Sequence, residues 1–130
     1  MRKKPAAIPF SSLLDRLESL TPQIKPMFGC HAVYVGEKLV LILRQKDNEK
    51  HDNGVWLATT QEHHSSLKKV FPPMRPIRLF GGSSSSWQNI PVEADDFEEC
   101  VMTACDMILK NDPRIGKIPV PKKKRSVRTR

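Results

Sequence analysis

A chain of 130 residues, 38% hydrophobic and 6% aromatic, has the length of one domain that builds its own core without a metal or disulfide staple. The net charge of +8 sits at the ends: Arg2, Lys3 and Lys4 at the front, then eight basic residues and no acid from Pro113 on. Residues 5–112 hold eleven Lys or Arg against all fourteen Asp and Glu, which argues against a fold that itself carries a basic nucleic-acid patch.

Phe10, Leu13, Leu14, Leu17 and Leu20 recur at helical spacing, predicting a short amphipathic helix over about residues 10–20. Ser11 or Ser12 can cap it and Pro22 stops it. TPQIKP then reads as a linker. HAVYV and KLVLILR are rich in β-branched and aliphatic residues, and Gly36-Glu37 between them fits a two-residue hairpin turn. QKDNEKHDNG reads as a loop and VWLA (55–58) as a third strand. Thr59 and Glu62 form the T-x-x-E pattern of a helix start, and this second helix runs to Pro72-Pro73. PIRLF (76–80) reads as a fourth strand, GGSSSS as a loop, and WQNIPVE (87–93) as a fifth strand that Pro91 assigns to an edge or a strand end.

Asp95-Asp96 opens the longest helix, with Phe97, Cys100, Val101, Ala104, Cys105 and Ile108 as one apolar stripe. Its acids lie in the first turn and Lys110 in the last, both favourable to the helix dipole. The expected fold is α+β, a two-layer sandwich with an antiparallel five-stranded sheet and the order α-β-β-β-α-β-β-α. The expected organisation is a basic arm (1–8), the α+β domain (9–112) and a basic tail without periodicity (113–130).

KLVLILR is apolar on both faces, Leu39, Leu41 and Leu43 on one and Val40 and Ile42 on the other. Three short helices cover one face of such a sheet, so an uncovered second face predicts a homodimer. Three cysteines in no zinc spacing, a basic start without the apolar core of a signal peptide, and no apolar stretch of membrane-spanning length place the chain in the cytoplasm.

Cys30-His31 is the first candidate for chemistry, since an imidazole can activate a thiol. Neighbours in a strand point to opposite faces, so the pattern reads as a strand edge. Cys100 and Cys105 fall on a core face. His63 and His64 diverge by about 100° on a helix and cannot share a metal. The Asp95, Asp96, Glu98 and Glu99 cluster is explained by a helix start. The Gly-Ser run lacks the Lys of a phosphate loop, and Trp87 beside Ile90 reads as core. No catalytic, cofactor-binding or metal-binding residue is expected. The tail residues Lys122, Lys123, Lys124, Arg125, Arg128 and Arg130 are the candidates for polyanion contact by counterion release.

Met27-Phe28-Gly29, followed by an aliphatic strand, a Gly turn and a second strand, resembles the opening of the TfoX N-terminal domain family. VWLATT, the short helix, RLF, WQNIP and the closing helix follow the family's order, over about residues 9–110. Cys30 departs from it, standing where the family has a second Gly. The resemblance implies a fold of the secretion-chaperone-like α+β class, a tendency to dimerise, and no catalytic residues. The family's competence regulators carry a second domain, for which the 18 residues after Asp112 have no room. PKKKRSV looks like a nuclear-localisation signal, a meaning that vanishes in the bacteria the resemblance favours. Three functions are therefore expected in descending order. The first is a non-enzymatic interaction or regulatory domain with a protein partner. The second is an accessory protein that binds nucleic acid through its tail. The third is a Cys- or His-dependent enzyme.

Overall fold

The computed structural model describes residues 8–27, 29–78 and 86–118. The chain runs α1 (Ser12–Arg16), β1 (Gln23–Met27), β2 (Cys30–Val35), β3 (Lys38–Arg44), β4 (Gly54–Leu57), α2 (His64–Val70), β5 (Arg75–Pro76), β6 (Gln88–Pro91) and α3 (Phe97–Leu109). Short 3-10 turns follow α1, precede β4 and lead into α2. The strands form one sheet, order β1-β2-β3-β4-β6-β5, with every pairing antiparallel.

The α+β class and the antiparallel sheet agree with the expectation, whereas the strand count and order do not. The sheet has six strands among the described residues, because the segment read as a linker is β1, paired with β2 from Gln23↔Tyr34 to Met27↔Cys30. Pro26 is tolerated there because β1 is an edge strand. The strand expected over 76–80 is reduced to Arg75–Pro76. Leu79, Phe80 and most of the Gly-Ser loop lie outside the described residues.

The two-residue turn at Gly36 forms as expected, with Gly36 at φ +62° and Val35 paired to Lys38. The T-x-x-E start does not form a capping box. Thr60, not Thr59, precedes the first turn and makes no side-chain cap, and Thr59 is buried. α3 buries the expected stripe apart from Phe97, which is half-buried, and adds Met107.

A bulge corrects the facing of β3. Val33 opposes Leu41 while Tyr34 opposes Leu39, so Val40 is an extra residue. An extra residue shifts the alternation by one. Val40, Leu41 and Leu43 therefore pack with the helices, and Leu39 joins Ile42 on the other face. The helix face holds Leu13, Leu17, Leu67, Phe71, Cys105 and Ile108 against Val33, Leu57 and Ile90. The second face holds Cys30, Ala32, Ile42, Trp56 and Ile77, with Met27, Tyr34 and Trp87 packed on it. Ala32, Ile42 and Trp56 are fully buried in the single chain. The second face is thus covered from within, and the open patch expected there is absent among the described residues.

The packed body also continues past Asp112. Ile115 is 1% exposed and belongs to the helix-side core. Lys117 bridges to Leu39, and the Gly116 N–H donates to the Ala58 carbonyl. Ile118 is exposed, and residues 119–130 lie outside the described residues.

The loop between β3 and β4 is held by buried polar groups. The Arg44 guanidinium donates to the carbonyls of Asn48 and Glu49 and to Asn53 Oδ1. Asn53 in turn pairs with the backbone of Lys46, accepting from its N–H and donating to its carbonyl at 2.9 Å each. Asp52 is fully buried, accepts from the Arg78 N–H, and its carbonyl accepts from Trp56 Nε1.

Candidate functional site

The six basic residues expected to contact polyanions, Lys122, Lys123, Lys124, Arg125, Arg128 and Arg130, lie outside the described residues. Arg114 and Lys117, counted with them as tail, belong to the packed body. Arg114 grips Asp112 with two side-chain bonds of 3.0 and 2.8 Å and donates to Ser66 Oγ.

Cys30 and His31 do not form a nucleophile–base pair. Cys30 opens β2 and shares the second-face cluster with Ala32. Alternation places His31 with Val33, toward the helices. The left-handed residue of the preceding turn is Gly29, at φ +74°, so a Cys at position 30 sits in ordinary strand geometry. Burial pushes the Cys30 thiol above its usual range, and the nearby charges of Arg44 and Lys46 offset this only in part. A thiol held protonated is a poor nucleophile.

Cys100 and Cys105 are buried on α3 as expected. Burial pushes both thiols to about 11; Asp96 adds to the effect at Cys100, and Arg16 opposes it at Cys105. His63 is half-buried with Nε2 3.4 Å from Glu62 Oε2. His64 is also half-buried and bonds through Nε2 to the Ser86 carbonyl at 3.0 Å. Trp87 packs on Trp56 with ring centroids 5.8 Å apart. Among the described residues, no group of three or more His, Cys, Asp or Glu is placed to hold a metal ion, and no helix is long and apolar enough to cross a membrane.

A cleft of about 540 Å³ lies between α1 and α3. Its lining includes the apolar Phe10, Leu13, Phe97, Val101 and Met102 together with the charged Asp15, Arg16 and Glu98. Two features of the sequence build it. Phe10 and Phe97 each precede or open a helix, and their rings meet at 5.2 Å, tilted by 57°. The helices are then tied at one end by Arg16 Nη2 and Asp106 Oδ1, 3.4 Å apart and both solvent-exposed. Met102 is 45% exposed, one of three large apolar side chains so exposed among the described residues. An unbranched thioether on a cleft wall adapts to different apolar partners. The sequence reading missed this site because each stripe was assigned to the core. The signal for it was Met102, which lies outside the stripe that α3 buries.

No family model matches this chain, and no curated protein or solved structure matches it.

Proposed function

We propose that this protein is a small non-enzymatic interaction domain, resembling the TfoX N-terminal type, which recognises a protein partner through the cleft between α1 and α3. The observation that carries the reading is the cleft itself, lined by apolar and charged side chains and carrying an exposed methionine. This is the composition of a protein-recognition surface, with an apolar centre and a polar rim. The protonated state of the buried thiols supports a binding role over nucleophilic chemistry. A second copy of the chain is the simplest partner, in keeping with the dimerisation the resemblance implies. Such a dimer would use the helical layer, because the second sheet face is already covered.

The test is to recover partners from the native host with the wild-type chain and with Met102→Glu. Met102 is exposed, so the variant keeps its fold. Loss of the same partners from the variant supports the reading, and unchanged recovery sinks it. Light scattering at tens of micromolar decides between a second copy and a different protein.

A second reading rests on charge placement. Six of the basic residues follow Ile118 without an acid, a composition suited to phosphate contact without base readout. Retention on duplex DNA that falls steeply with salt, with a slope of about −0.9 per phosphate neutralised, supports it. Retention unchanged when residues 119–130 are removed counts against it.

A further inference from the structure

Arg44 and Lys46 lie where β3 ends, close to the start of β2, and neither forms an ion pair with a carboxylate among the described residues. Arg44 is 3% exposed and donates to the carbonyls of Asn48 and Glu49 and to Asn53 Oδ1, and its side chain also hydrogen-bonds the Cys30 thiol. No described Asp or Glu lies within ion-pair distance of Arg44 or of Lys46. A buried cation without a counter-charge is costly, and a nearby anion offsets that cost.

Beside it opens a cavity of about 360 Å³, lined by Gly29, Cys30, His31, Gln45 and Lys46, with Pro9 and Leu43 as an apolar wall. Its volume lies in the range of small-ligand pockets. Three polar side chains on its lining, the His31 imidazole, the Gln45 amide and the Lys46 ammonium, make no hydrogen bond to any described residue. The Lys46 ammonium rests against the turn at Gly29, where a Cβ would lie 2.6 Å from Lys46 Nζ. Lys46 is anchored from behind, since its own N–H and carbonyl are both held by the Asn53 amide.

We propose that this cavity is a binding site for a small organic anion, a carboxylate or phosphate group attached to a short apolar part. Lys46 supplies the charge at the cavity wall. His31 and Gln45 supply directed hydrogen bonds, and Pro9 and Leu43 receive the apolar part. Arg44 acts from beneath through its field, held in place by Asn53 and the loop carbonyls. Cys30 is part of the wall and takes no chemical step. The site is separate from the α1–α3 cleft and does not depend on the function proposed for it.

The test is a titration of the full chain with inorganic phosphate, acetate and butyrate, followed by backbone amide NMR. Saturating shifts at Gly29, His31 and Gln45 are expected. Phosphate and acetate separate the two anion classes, and tighter binding of butyrate than of acetate reports the apolar wall. Lys46→Glu should weaken binding at least about tenfold, the effect of about 1.4 kcal/mol. Gln45→Glu is the second variant and should weaken it in the same direction, should the first fail to fold. A chain with Lys122, Lys123 and Lys124 all changed to Glu should bind as the wild type does. Shifts that do not saturate, that survive both single variants, or that vanish in the tail variant overturn the proposal.

Discussion

Leu39 and Lys117 exchange both of their backbone hydrogen bonds, at 2.8 and 2.9 Å. Next to this bridge, the Gly116 N–H bonds to the Ala58 carbonyl. Gly116 and Lys117 therefore join the start of β3 to the residue that follows β4. Ile115 reaches the core from the same segment.

Removal of residues 119–130 should accordingly leave the melting temperature unchanged, while removal of residues 113–130 should lower stability substantially. Loss of the Ile115 side chain alone is worth about 2–5 kcal/mol. Thermal denaturation of the two truncated chains checks this. Equal melting temperatures would mean that the bridge and Ile115 contribute nothing.

Asp112 should contribute to acid stability. The Arg114 side chain holds the Asp112 carboxyl at about 2, below its ordinary 3.8, against the opposing pull of burial. A lowered value means the folded state favours the ionised form. The contribution is therefore full above the ordinary value and is lost as the pH falls through about 2. Asp112→Asn should cost about 1 kcal/mol at neutral pH, in the range of partly solvated bridges, with the difference from wild type closing toward pH 2. Denaturant melts between pH 7 and about pH 2 measure it. A difference that stays constant across that range contradicts the assignment.

Gly54 should tolerate no side chain. Its φ is +145°, and a Cβ there would lie 2.1 Å from the Ile90 carbonyl oxygen and 2.6 Å from Asn89 Oδ1. β4 and β6 meet closely at this point, where Gly54 pairs with Pro91. Gly54→Ala should destabilise by about 3 kcal/mol or more, because backbone atoms have to move. A denaturation midpoint close to wild type would disprove the close approach.

Cys30 should behave as a packing residue. The residue is 4% exposed and its thiol pKa is raised by burial. Alkylation of the native chain at neutral pH should be slower at Cys30 than for a model thiol. Cys30→Ala should keep partner recovery and cost about 1 kcal/mol. Fast labelling of Cys30, or a folded variant without partners, would restore the case for chemistry at this thiol.

The parts of the fold that sequence reasoning found are those with a strong local pattern. β3 is a continuous apolar run and matches residue for residue, and the α3 stripe is long enough to average out its cysteines. β1 was illegible for the opposite reason. Gln23, Lys25 and Pro26 are linker residues by composition, and only pairing with β2 makes them a strand. The facing of Leu39 depends on a bulge, which is a property of two strands and not of one. Ile115 was hidden among charges, since composition averages over a segment while packing uses single side chains. The two clefts proposed as sites were not legible in the sequence. The α1–α3 cleft and the cavity beside Lys46 each join segments distant in sequence, and no spacing rule reports such a meeting.

Pro26 lies in β1 and Pro76 in β5, the two strands that border the sheet among the described residues. A proline has no N–H to offer a further strand. β1 also carries Lys25 beside its proline, and β5 is two residues long. Each border is blunted by devices that natural sheets use against unwanted strand addition. The sheet is therefore a poor template for aggregation, although β3 is one of the most apolar segments of the chain. The consequence reaches the design of variants. Pro26→Val or Pro76→Val would restore a donor at a border, and such a chain should gather into insoluble assemblies at concentrations the parent tolerates.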